Sequence, residues 1–174
     1  MLIDILIVLV LAVIGFVFYA SRKPNVFRIE RSAVINAAPE KIFAALSDFA
    51  VWQRWSPWEG KDPAMARSLS GAAQGVGAIY AWQGNKNVGS GRMEIVRAEP
   101  STTLVIKLDF FTPFEAHNMA EFTLIPEGQA TRVVWAMSGP SPLMAKIMQT
   151  VCDMDKMVGK DFEAGLANLK RLVE

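Results

Sequence analysis

The chain has 174 residues, enough for one domain of ordinary size, and its 18 basic and 17 acidic side chains leave a net charge of +1. That field is too weak to draw the protein onto nucleic acid. The single cysteine, Cys152, excludes an intrachain disulfide and, with the single histidine, His117, excludes the usual zinc constellations. No set of carboxylates stands at a spacing suited to an all-oxygen metal site, so neither a metal nor a cofactor is expected.

Between Leu2 and Ala20 the only charged side chain is Asp4. A helix of that length, at about 1.5 Å per residue, spans roughly the 30 Å of bilayer hydrocarbon. A cleaved signal peptide is the alternative, but it places positive charge before its apolar stretch. Here Arg22, Lys23, Arg28 and Arg31 all follow the run. The sequence therefore predicts a transmembrane anchor over residues 1–21 and a linker over 22–25, with Pro24 stopping the helix. The positive-inside bias makes this a single-pass membrane protein with its globular domain on the cytoplasmic side, and the lone cysteine agrees with a reducing compartment.

Val26 to Asn36 alternates, with Phe27, Ile29, Ala33 and Ile35 on one face and Arg28, Glu30 and Ser32 on the other. This is the period of a half-buried strand, interrupted only by Arg31 on the apolar face. Pro39 opens a short helix through Ile42, Phe43 and Leu46, and Ser47 and Asp48 are placed to cap a second. From Arg67 to Ser138 strand-like stretches alternate with turn residues, including Gly84-Asn85-Lys86 and Glu127-Gly128-Gln129, which reads as an antiparallel meander of about six strands. After Pro140 and Pro142 the period changes to 3.6, and Leu143, Ile147, Val151, Met154, Val158, Phe162, Leu169 and Leu172 predict one long amphipathic helix to the end of the chain. The whole is an α+β fold in which the sheet must curl around that helix.

Four segments carry a family resemblance: Ala38-Pro39-Glu40-Lys41-Ile42-Phe43, the run WQRWSPW from Trp52 to Trp58, GVGAIYAW from Gly75, and MVGKDFEAGLANLK from Met157. With these segments, residues 26–174 resemble the START-like helix-grip superfamily, also called SRPBCC, in its polyketide cyclase or dehydrase-like branch. The resemblance implies a curved sheet of about six to seven strands gripping the terminal helix. It also implies an apolar cavity between them for lipids, steroids, polyketides or similar molecules.

Candidate cavity residues follow from the apolar faces. Trp52, Trp55 and Trp58 recur every three residues and can form an apolar wall with N–H donors. Tyr80, Trp82, Met93, Phe110, Phe122, Trp135 and Met137 fall on the strand faces that turn toward the helix, and Met144 and Met148 offer adaptable thioethers near it. On the strand containing His117 and Asn118, alternation with Phe122 turns Asn118 inward, where an amide can orient a ligand carbonyl, and leaves His117 outside. No G-x-S-x-G elbow, P-loop or complete dinucleotide fingerprint is present, so no catalytic residue is assigned.

The expected function is membrane-tethered binding of a hydrophobic or amphipathic small molecule. A cyclase-type acid/base enzyme is the alternative, since such chemistry needs only a shaped pocket and one or two polar groups. A protein-interaction module, as in chaperone-activating relatives of the superfamily, is a further alternative, with its protein partner unknown.

Overall fold

The computed structural model describes residues 1–174. A helix α1 (Leu2–Ser21) leads into strand β1 (Val26–Ile35), which is followed by two short helices, α2 (Pro39–Ser47) and α3 (Phe49–Trp52). Pro39 holds the first position of α2, and the Asp48 carboxylate accepts from Ala50 N at 2.8 Å to cap α3, as the sequence predicts. Six strands come next: β2 (Ala66–Gly71), β3 (Ala78–Gln83), β4 (Ser90–Glu99), β5 (Thr103–Thr112), β6 (Ala116–Glu127) and β7 (Ala130–Pro140). They join β1 in a seven-stranded antiparallel sheet of order β1-β7-β6-β5-β4-β3-β2. The meander pairs neighbour with neighbour, and β1 closes it against β7 with Val26 opposite Pro140.

The expectation of one terminal helix is corrected. The chain forms α4 (Leu143–Val151) and α5 (Met154–Val173), separated at Cys152 and Asp153. The Asp153 side chain accepts from Lys156 N at 3.0 Å and starts the second helix, so its capping preference outweighs the continuity of the apolar stripe. Only α5 is gripped by the sheet, burying Phe162, Leu166, Leu169 and Val173 at helical spacing. These join Ile29, Ile35, Ile42, Leu46, Ile95, Ile106, Phe122 and Val133 in one continuous core.

Arg31, the odd residue on the apolar face of β1, ties the sheet to α5. Its guanidinium bonds both carboxylate oxygens of Asp155, at 2.8 and 3.1 Å, and Glu163 at 2.9 Å. It lies against Gly159, where any Cβ would meet it at 2.0 Å. That pairing raises the Arg31 pKa and lowers that of Asp155.

The helix α1 is long and apolar enough to cross a membrane, lies outside the core, and buries only Ala20. An N-terminal signal sequence can meet the same criteria of length and composition.

Candidate functional site

A cavity of about 260 Å³ lies between the concave face of the sheet and the first half of α5, and 14 of its 17 lining residues are hydrophobic. The strands build most of the wall because alternation sends every second side chain inward. Tyr80 and Trp82 come from β3, Met93 from β4, Leu108 and Phe110 from β5, Ala120 from β6, and Trp135 and Met137 from β7. Trp52, Ser56, Trp58, Glu59 and Met65 cover one side, Val88 reaches in from the β3–β4 connection, and Val158, Asp161 and Phe162 close the site from α5.

Two glycines make room for indoles in this wall. A Cβ at Gly91 would meet the Trp82 ring at 2.4 Å, and one at Gly165 would meet the Trp135 ring at 2.7 Å. Trp82 is fixed by its N–H, which donates to Val88 O at 3.1 Å. Trp135 stacks on Phe162, with centroids 4.2 Å apart and planes 4° from parallel, and meets Trp58 edge-on at 5.7 Å.

Of the thirteen residues expected from the sequence, Trp52, Trp58, Tyr80, Trp82, Met93, Phe110, Trp135 and Met137 line the cavity. Five do not. Trp55 and Phe122 are buried behind the wall, packed edge-on with centroids 6.2 Å apart. Asn118 does turn inward, but its amide oxygen covers Gly139, beyond the cavity lining, where a Cβ would meet it at 2.0 Å. Met144 and Met148 are exposed on the outer side of α4, because the break at Asp153 separates α4 from the gripped helix.

Sequence reasoning misses the polar part of the site. Glu59, its side chain only 12% exposed, accepts from the Tyr80 hydroxyl at 2.6 Å and from Arg67 Nε at 2.6 Å. Burial, and then the bond to the Glu59 carboxylate, pushes the Tyr80 phenol up, while Glu59 raises the Arg67 guanidinium. Tyr80 thus stays a protonated donor at neutral pH, committed to Glu59. Asp161 is likewise engaged, by Lys61, whose ammonium also sits 5.9 Å from the centre of the Trp58 ring. The indole N–H groups of Trp55 and Trp135 are buried without any partner, and that of Trp135 belongs to a wall residue. Outside the cavity, His117 Nδ1 meets Asp109 Oδ1 at 2.7 Å on the outer face, where the expected exposure of His117 is found.

Residues 26–174 match the family described as polyketide cyclase / dehydrase and lipid transport. The chain belongs to this family. The matched residues build seven antiparallel strands curved around a long C-terminal helix. Among solved structures, the chain is similar to protein CV1439 from Chromobacterium violaceum, with 16% identity, a TM-score of 0.60, and coverage of 87% of this chain and 99% of that one. The Aha1 dimer from Colwellia psychrerythraea gives 20% identity and a TM-score of 0.61 over 85% of this chain and 96% of that one. The di-domain ARO/CYC protein StfQ of the steffimycin biosynthetic pathway gives 10% identity and a TM-score of 0.62 over 89% of this chain and 53% of that one. At these identities the likeness is one of fold. No curated protein matches the chain at a significant level.

Proposed function

We propose that this protein is a membrane-tethered binding module for a hydrophobic or amphipathic small molecule, lipid-like or polyketide-like, held in the cavity of residues 26–174. Residues 1–21 are the anchor, 22–25 the linker, and the positive charges following the anchor put the domain on the cytoplasmic side. The observation that carries the reading is the apolar cavity itself, with 14 hydrophobic residues among the 17 that line it. Burial of ligand carbon supplies affinity at roughly 25 cal/mol per Å². Of the four polar residues in the wall, Ser56, Tyr80, Glu59 and Asp161, the last three are engaged with protein partners, which favours binding over proton transfer.

The test is native mass spectrometry of the purified protein, followed by extraction and a fluorescence titration with the compound recovered. A stoichiometric amphiphile is expected, bound several-fold more weakly by Met93→Gln, which puts an amide into the apolar wall. An apo mass with no uptake of fatty acids, phospholipids or polyketides defeats the reading. A second reading, a cyclase-type enzyme, is favoured by the hydrogen-bonded Tyr80–Glu59 pair in the wall. Conversion of the recovered compound, lost in Tyr80→Phe, would establish it.

A further inference from the structure

The end of the fold that receives α1 is apolar on its outside, and no other part of the chain covers it. Three hydrogen bonds fasten the last turn of α1 and the linker to α4. Lys146 Nζ donates to Ser21 O at 3.2 Å and to Asn25 Oδ1 at 2.7 Å, and Lys23 Nζ donates to Gln149 O at 2.8 Å. Lys146 is only 6% exposed, so α4 buries its one charged side chain at the carbonyl end of α1, where unpaired acceptors and the helix dipole favour a cation. The opposite face of α4 presents Met144, Met148 and Val151, which are 72%, 47% and 72% exposed. Their i, i+4, i+7 spacing makes one apolar stripe, the reverse of a helix that turns carbon to the core and charge to water.

The same end of the sheet carries a second apolar projection. Met119 of β6 pairs with Ser138 of β7, so Ala116, where β6 begins, stands level with the end of β7 and the start of α4. The end of β5 and the connection that leads from it into β6 expose Phe111 and Phe114, the latter by 76%. The cavity reaches this end too, because Trp82, Val88 and Phe110 belong to strand ends and a connection gathered there, with Gln83 opposite Ser90 and Ser90 opposite Thr112.

We infer that α4 and the Phe111–Phe114 segment, where β5 ends, form a membrane-docking surface that seats the domain on the bilayer spanned by α1 and sets the cavity against the lipid. The inference rests on reading α1 as a membrane span. Its physical ground is continuity: α4 is hydrogen-bonded to the final residues of α1, so the medium around the last turn of the span is also the medium in front of Met144 and Met148. An amphipathic helix held at that depth buries its apolar face in the headgroup boundary. The ligand is then an amphiphile drawn from the bilayer, entering without crossing water.

The full chain, in a Cys152→Ser background, is given one cysteine at a time as Val10→Cys, Met144→Cys, Phe114→Cys or Gln129→Cys. Each is labelled with bimane and reconstituted in vesicles of phosphatidylcholine and phosphatidylglycerol. Quenching by a shallow nitroxide lipid, and by a second one labelled near the chain end for Val10, is compared with quenching by aqueous iodide. The Met144 and Phe114 labels are expected to be quenched by the lipid several-fold more strongly than the Gln129 label, which sits on the β6–β7 hairpin at the other end of the sheet. Lipid quenching at Val10 with iodide-accessible labels at 144 and 114 overturns the docking and leaves the span. Labels at 144 and 114 shielded from both quenchers place a protein surface there and also overturn it. A Val10 label untouched by the chain-end nitroxide lipid overturns the span and the docking together.

Discussion

Arg67→Met is the sharpest test of the polar cluster in the cavity wall. It removes the guanidinium that meets Glu59 Oε2 at 2.6 Å and leaves a carboxylate that is 12% exposed with only the Tyr80 hydroxyl as partner. Breaking a fully buried pair costs about 3–5 kcal/mol, and the partial exposure of Arg67 and the surviving Tyr80 bond bring the expected loss to about 3 kcal/mol. For a domain of this size, that lowers Tm by about 6–12 °C. The assay is thermal unfolding of the full chain in detergent micelles, followed by tryptophan fluorescence. The decisive comparison is the double variant Glu59→Gln/Arg67→Met, in which the amide oxygen still accepts from Tyr80 but carries no charge. Both variants lose the bond from Arg67 Nη1 to Met65 O at 2.6 Å, so the difference between them isolates the stranded charge. The double variant should recover to within about 1.5 kcal/mol of the parent, the cost of one neutral hydrogen bond. A double variant no more stable than Arg67→Met would refute the claim that Arg67 neutralises a buried carboxylate at the ligand site.

Two further outcomes follow from named contacts. The Asp109 carboxylate raises the His117 pKa above 6.5, so any stability His117 contributes is present below that value and lost as pH rises through the folded pKa. An NMR titration of the imidazole should show the raised value, and Asp109→Asn should return it toward 6.5. Gly165→Ala removes a helix-interior glycine, which by propensity alone would stabilise α5 by about 1 kcal/mol. The new Cβ meets the Trp135 ring at 2.7 Å and Pro57 at 3.1 Å, and overpacking of about 1–3 kcal/mol should win. Urea unfolding should therefore show a lowered midpoint, and an unchanged or raised one would mean that the Trp135–Phe162 stack shifts freely.

The sheet and its facing residues are legible in the sequence because both depend on a local period. Alternation along β3 assigns Tyr80 and Trp82 to one face, and the same rule places Phe110, Trp135 and Met137, all of which line the cavity. The cap of α3 is legible in Asp48 for the same local reason. The break before α5 is signalled by Asp153, but the apolar stripe running across it conceals the signal, since hydrophobic spacing alone does not distinguish one helix from two set end to end. Arg31 looks like a flaw in β1 until α5 brings Asp155 and Glu163, more than 120 residues away in the chain, to its guanidinium.

The polar half of the site is not legible because its parts are distant in sequence and each has an ordinary local reading. Glu59 stands beside a tryptophan in a turn, eight residues from Arg67 and 21 from Tyr80, and no spacing rule joins the three. Likewise, three tryptophans at equal intervals around a turn give no sign that Trp52 and Trp58 reach the cavity while Trp55 packs behind it. This division has a chemical consequence. A carboxylate facing an apolar cavity without a partner would repel a carboxylate-bearing ligand and shed its charge. With Arg67 and Tyr80 holding it, the wall near Glu59 is already satisfied, and a ligand displacing either partner would have to replace a charge-assisted hydrogen bond. Recognition near Glu59 is therefore left to shape and to carbon. That arrangement suits an amphiphile that fills the cavity with its apolar part better than a substrate needing two opposed catalytic groups.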